Sequence, residues 1–325
     1  MTREWTPDET MPSFQCTTLP LLAEDDGALV ATVIRKRAEP ASAASGNGVA
    51  FLYVHGFVDY FFHAHVADAI VASGMDFYAV ELRRHGRSLR EGNRGNYCTD
   101  VAQYFTEITA AIALAVDEDQ HDAVVLYGHS TGALVVSLYA HEGERRASVS
   151  ALVLNSPFFG FDVTLLQRLK LPIAVAIGRF LPWLSDPKAI SPLYGESIHA
   201  SKHGEWNYNL RWKPINGFPA YFGWVRAIKH GHDRVALGLN VRCPVLVLHS
   251  DRSGAATEWS ESLHSRDIVL SVDQMRVASS KLGEHVERRE IAGAIHDIML
   301  SPEPVRTHAL NAMLQWLPAS SRSVS

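Results

Sequence analysis

Cysteine is scarce: Cys16, Cys98 and Cys243 are the three in 325 residues, an odd number with no close pair. Neither a disulfide framework nor a cysteine-rich zinc site is suggested, and reduced thiols in a cytoplasmic protein are the plain expectation. Basic charge is not in excess. Thirty Lys and Arg against 35 Asp and Glu give a net charge of −5, which offers no general attraction for nucleic acid or anionic lipid. Long hydrophobic runs are missing too. The most apolar stretch, Leu171 to Leu184, contains Pro172, Arg179 and Pro182 and is shorter than the ~20 residues of a bilayer span, so no transmembrane segment is expected. The opening residues MTREWTPDETMPS carry charge and proline where an export signal needs an apolar stretch. Neither the phosphate-cradling nor the dinucleotide-binding glycine loop is found, so no nucleotide cofactor is implied. Internal repeats and low-complexity tracts are equally missing.

What is present is a chain built to fold. Hydrophobic residues make up 47% and charged residues 20%, close to the globular average, and the length suffices for a full core. Short runs of β-branched and aliphatic residues recur at Ala28 to Ile34, Val49 to Val54, Asp76 to Leu82, Ala123 to Tyr127, Ser150 to Leu154, Val241 to Leu248 and Val286 to Ile291. Helical spacing of apolar residues lies between them, at Phe62 to Ser73, Asp100 to Asp117, Gly132 to Glu142, Val272 to Leu282 and Pro304 to Leu317. Several strand runs are apolar almost throughout, as strands covered on both faces should be. The pattern predicts an α/β fold with a mostly parallel central sheet and helices on both faces. Glu39 to Gly48 reads as a loop and Ala319 to Ser325 as a frayed tail.

The rhythm breaks between Ser156 and about Leu239, where aromatics and prolines crowd together. Residues 156–239 are therefore expected to form an inserted cap, with 1–155 and 240–325 as the core. Its many aromatics, from Phe158 and Phe159 to Phe180, Trp183 and Trp224, are expected to build a small core or line a pocket.

The informative segment is Ala123-Val-Val-Leu-Tyr-Gly-His-Ser-Thr-Gly132, a strand running straight into Gly-x-Ser-x-Gly and then a helix. A serine held at such a tight turn has a strained backbone, and side chains at Gly128 and Gly132 would collide with it. Ser130 is the candidate nucleophile. A serine hydroxyl needs a base within hydrogen-bond reach, itself oriented by a carboxylate. His296, between the last apolar run and the C-terminal helix, is the best placed of sixteen histidines.

Val54-His55-Gly56-Phe57, Arg83-Arg84-His85-Gly86-Arg87-Ser88, Gly128-His-Ser-Thr-Gly132 and Gly293-Ala-Ile-His296 resemble the α/β-hydrolase fold. More narrowly, they resemble its monoacylglycerol lipase and lysophospholipase branch, of serine aminopeptidase S33 type. The resemblance implies an eight-stranded sheet, a cap inserted after the sixth strand, and a triad in the order Ser, Asp, His. It also implies an oxyanion hole from the N–H groups of Phe57 and Thr131, and it makes Phe57, His129, Phe158 and Phe159 candidates to line the substrate site. Two positions depart from the family pattern: Arg84 stands where glycine is usual, and Ala133 where a further glycine is common.

Two carboxylates compete as the acid. Asp251 directly follows the strand that ends at Leu248, where the acid ordinarily emerges. Asp267 lies 29 residues before His296, as in the acid-to-histidine segment of the lipase branch, and is preferred on that spacing. Two clusters with metal-like content, Phe62-His-Ala-His65 and His230-Gly-His-Asp233, lack a second ligand set, and no metal is expected. The expected function is hydrolysis of a small-molecule carboxylic ester with an apolar acyl chain, without cofactor. Other reactions on the same fold (C–C hydrolysis, lyase or peptidase chemistry) and a non-catalytic ligand-binding scaffold are the alternatives.

Overall fold

The computed structural model describes residues 4–39, 48–161, 165–186 and 191–320; most of the expected 39–48 loop and 319–325 tail lies outside them. The strands, in chain order, are β1 (Thr6–Pro7), β2 (Gln15–Glu24), β3 (Gly27–Lys36), β4 (Val49–Val54), β5 (Phe77–Glu81), β6 (Ala123–His129), β7 (Val149–Asn155), β8 (Ser185–Asp186), β9 (Ala220–Tyr221), β10 (Val245–Ser250) and β11 (Val286–Ile291). The α-helices are α1 (Ala64–Ala72), α2 (Phe105–Ala113), α3 (Thr131–Glu142), α4 (Leu165–Phe180), α5 (Leu193–Ile198), α6 (Phe222–Leu237), α7 (Val272–Ser279) and α8 (Glu303–Ser320).

Among the described residues nine strands form one sheet in the order β1-β2-β3-β5-β4-β6-β7-β10-β11. From β5 to β11 all neighbours are parallel, while β1, β2 and β3 join antiparallel. The ninth strand, beyond the eight expected, is the two-residue β1 at the edge. β2 escapes the sequence pattern because it is half exposed and carries Pro20, a residue tolerated only near a sheet edge, where its missing N–H breaks no interior ladder. The run Val241 to Leu248 is shortened at its start: Pro244 intervenes, Val241 bridges separately to Gly283, and β10 begins at Val245.

The parallel strands divide their side chains residue by residue. Leu52, Val54, Leu126, Leu152 and Val247 point into a core shared with α2, α3 and α6, whereas Phe51, Tyr53, Tyr127, Val153 and Leu248 point into a second core under α1 and α8. This is the period-two alternation of a strand covered on both faces. The chain between β7 and β10 carries α4, α5, α6 and the two-stranded β8-β9 pair. Its aromatics part ways. Tyr194, Trp206, Tyr208 and Trp212 gather with Tyr60 and Ile295 in a third cluster, and Phe158 and Trp224 join the first core. Phe180 and Trp183 lie outside either expectation, 73% and 49% exposed.

Candidate active site

The C-terminal ends of β4, β6 and β10 and the segment after β11 meet at one edge of the sheet. β6 passes directly into α3 at Ser130, whose φ of 52° and ψ of −115° are the strained corner that the Gly-x-Ser-x-Gly spacing predicts. The corner tolerates nothing larger than glycine on either side. A Cβ on Gly128 would lie 2.6 Å from the Ala133 Cα, and one on Gly132 2.3 Å from the His55 carbonyl oxygen.

His296 Nε2 lies 3.0 Å from Ser130 Oγ, and its Nδ1 lies 2.9 Å from Asp267 Oδ2. Nδ1–H donates to the carboxylate, which leaves the Nε2 lone pair to accept the serine hydroxyl. The other oxygen of Asp267 accepts the backbone N–H groups of Val269 and Leu270 at 2.8 and 2.9 Å. Asp267 is fully buried, His296 3% and Ser130 8% exposed, so these bonds face little competition from water. Asp251 does not reach the imidazole. Its carboxylate accepts the Gly293 N–H at 2.8 Å and pairs with Arg252, so it braces the turn that carries His296. The intervening residues 252–266 form an excursion that returns through a bridge between Ser253 and Asp267.

The His296 segment is fastened on both sides. Ser250 Oγ donates to the Ala294 carbonyl at 2.7 Å, the Ile295 N–H donates to Ser301 Oγ, and the Asp297 N–H donates to the Tyr194 hydroxyl of α5. Opposite, the turn after β4 presents Phe57 between two anchored neighbours. The Gly56 N–H points to Asp59 and the Val58 N–H donates to Asn96 Oδ1 at 2.6 Å. Among the described residues no protein acceptor takes the N–H of Phe57 or of Thr131. His55 is a brace: Nδ1–H donates to the Gly56 carbonyl and Nε2 accepts the Leu82 N–H. Burial lowers its pKa to about 4 and keeps it neutral.

The remaining candidates separate. Phe57 stacks on Trp224 at 4.0 Å between ring centroids, and Trp224 stacks in turn on Phe158 at 6.3 Å; Phe159 is buried in the same core. His129 turns away from this aromatic wall, with Nδ1 3.4 Å from Asp59 and 3.8 Å from Asp297. The two histidine clusters do not converge on a common point. His63 binds Asp297, His65 binds the Met299 carbonyl and His232 the Phe158 carbonyl.

Arg84, the departure from glycine, keeps the backbone that glycine would adopt, φ 63°. Its buried guanidinium pays for that strain through ion pairs with Asp26 and Glu24. Sequence reasoning missed Asp59, Asp297 and Lys213, which join His63 in one buried group, and also Asn96 and Asn155. Asp59 stands two residues after Phe57 and Asp297 directly after His296, but nothing local points to Lys213, 154 residues from its partner Asp59.

A serine aminopeptidase S33 family model matches residues 48–303. A monoacylglycerol lipase of Mycolicibacterium smegmatis is 23% identical over 276 residues, covering 83% of this chain and 88% of the relative. Among solved structures, a soluble variant of monoglyceride lipase from Saccharomyces cerevisiae, in complex with a substrate analog, aligns with a TM-score of 0.67 at 16% identity. That alignment covers 94% of this chain and 97% of the yeast chain. The Paleococcus ferrophilus monoacylglycerol lipase aligns with a TM-score of 0.64 at 19% identity, over 83% and 94% of the two chains. With the family model spanning well over half of the sequence and the sheet ordered as described, this chain belongs to the serine aminopeptidase S33 family of α/β-hydrolase-fold enzymes.

Proposed function

We propose that the protein is a serine hydrolase of carboxylic esters bearing an apolar acyl chain, with an acyl-enzyme formed on Ser130. One observation carries the reading: a buried imidazole 3.0 Å from a strained serine hydroxyl and 2.9 Å from a buried carboxylate. Ser130 Oγ attacks the ester carbonyl while His296 Nε2 takes its proton. The developing oxyanion lies against the N–H groups of Phe57 and Thr131, and His296 returns the proton to the leaving alcohol. Water, deprotonated by the same imidazole, then releases the acid. Asp267 holds the imidazole in the tautomer that accepts at Nε2 and stabilises its charged form.

The aromatic wall of Phe57, Trp224 and Phe158 supports an apolar acyl group, since each methylene buried against it contributes about 0.8 kcal/mol. The lipase relatives support the same class, with monoacylglycerols as the first substrates to try. Residues 156–239 act as a cap in this reading, because they supply Phe158, Trp224 and the Tyr194 hydroxyl to the site. Ser130→Ala is expected to abolish both hydrolysis of a p-nitrophenyl ester and labelling by a fluorophosphonate. Retained labelling would move the nucleophile elsewhere.

A further inference from the structure

Two carboxylates are buried together behind the serine corner. Asp59 and Asp297 are each 1% exposed, and one donor atom from each lies within 4.8 Å of the other and of a His129 ring nitrogen. Such a trio resembles a cation site, and a cation already sits beside it. Lys213, from the chain between β8 and β9, is 6% exposed and places Nζ 2.7 Å from Asp59 Oδ1. Its ammonium also lies 5.7 Å from the ring centroids of Phe62 and Tyr208, aromatic faces that favour a desolvated cation. Among the described residues no other lysine or arginine pairs with either carboxylate.

We infer that Lys213 is a positioning residue for the reaction proposed above: by compensating Asp59 it holds the carboxylate pair, and with it the serine corner and the Phe57 turn, in reactive geometry. The inference rests on that reading of Ser130. Asp59 touches both sides of the site, with Oδ2 3.4 Å from His129 Nδ1 and 3.5 Å from the Gly56 N–H. His129 immediately precedes the nucleophile, and Gly56 precedes Phe57. Both contacts are long, so neither fixes the carboxylate; the short bond to the ammonium does.

The charges around the pair set the response to losing the ammonium. Asp59 is faced by Lys213, Tyr194 and Tyr208 from the chain between β7 and β10, His129 and Tyr127 from β6, Tyr53 from β4, His55 and Tyr60 from its own turn, His85 from the turn after β5, and His63 and Asp297 beyond. Asp297 is faced by His63, His65, His129, Tyr53, Tyr127, Tyr194 and Asp59 itself. His296 itself faces Ser130, Asp267, His129 and Tyr194. Burial pushes the Asp59 carboxyl up and the Lys213 ammonium is the main influence holding it down; without Lys213 two carboxylates share a dry space, and Asp59 takes up a proton more readily. A protonated Asp59 needs no compensating ammonium, and it is present at low pH and lost as the pH rises. Removal of Lys213 therefore gives a pH-dependent defect, whereas loss of a packing side chain would be felt equally at every pH.

The test measures kcat/KM on p-nitrophenyl butyrate, and separately the rate of fluorophosphonate labelling, from pH 6 to 9. It compares the wild type with Lys213→Met, Asp59→Asn and the double variant. Lys213→Met is expected to lose about tenfold or more at pH 9 and progressively less towards pH 6. In the Asp59→Asn background the same lysine substitution should cost almost nothing, because the charge it compensates is gone. A loss constant across pH, an equal loss in the Asp59→Asn background, or an unaffected Lys213→Met overturns the inference. If Lys213→Met does not fold, the comparison of Asp59→Asn with the double variant decides by the same criterion. A wild type inert to both probes overturns the proposed reaction itself, and the inference with it.

Discussion

Asp267→Asn is the substitution whose effect the geometry defines most sharply. Asparagine has the shape of aspartate, and its amide oxygen can go on accepting the N–H groups of Val269 and Leu270, now at 2.8 and 2.9 Å from Oδ1. Those two bonds fix which way the amide faces, and they turn its NH2 towards His296 Nδ1. A donor cannot face a donor. The imidazole must then carry its proton on Nε2, which leaves no lone pair there to accept the Ser130 hydroxyl 3.0 Å away. The fold is retained while the base is disarmed. A wrong-tautomer histidine in a serine triad lowers kcat by about 10⁴, or about 5 kcal/mol of barrier. Asp251→Asn keeps an acceptor for the Gly293 N–H and touches neither reacting atom, so its kcat should stay within about tenfold of wild type. Steady-state hydrolysis of a p-nitrophenyl ester reads both, with thermal melting to establish that each variant folds. A folded Asp267→Asn within tenfold of wild type, or an Asp251→Asn that is the more damaged of the two, would refute the reasoning.

Two further perturbations act through the same contacts. Gly132→Ala drives a Cβ to 2.3 Å from the His55 carbonyl oxygen, so the β4 turn and the serine corner must separate; fluorophosphonate labelling should fall by at least about tenfold, with about 1–3 kcal/mol of stability lost, and unimpaired labelling would count against the close approach. Burial holds His55 and His232 neutral, with pKa values lowered to about 4 from 6.5. A folded-state pKa below the unfolded value means that the unfolded chain binds the extra proton, so the contribution is intact above about pH 6.5 and drains away towards pH 4. Each histidine steepens the loss by up to about 1.4 kcal/mol per pH unit in that window. Urea midpoints at pH 7 and pH 5 check this, and equal midpoints would contradict it.

How much of the fold and site was legible in the sequence depends on the range over which each interaction acts. The parallel strands β4, β6 and β7 were readable because both faces of each are covered, which leaves almost no polar residue in the run; β2, half exposed and carrying Pro20, offers no such signal. Ser130 was readable because its signature is local: Gly128 and Gly132 stand two positions either side of it, although what crowds Gly132 is the distant His55 carbonyl of the β4 turn. His296 and Asp267 were readable only through order and spacing, and the geometry that joins them depends on the 252–266 excursion folding back to bring Asp267 beneath the imidazole. Lys213 and Asp59 were not readable at all. A charged pair buried across 154 residues has no local signature, and Asp59 on its own looks like any acidic residue at a turn. Removing an ion from water costs several kcal/mol even in real proteins, so a lysine carried from the chain between β8 and β9 into the space beneath the serine corner is stable there only because the Asp59 carboxylate pairs with it. The chain between β7 and β10 is therefore joined to the β4 turn electrostatically as well as by its aromatic contacts, and the two must fold together for either to hold its charge.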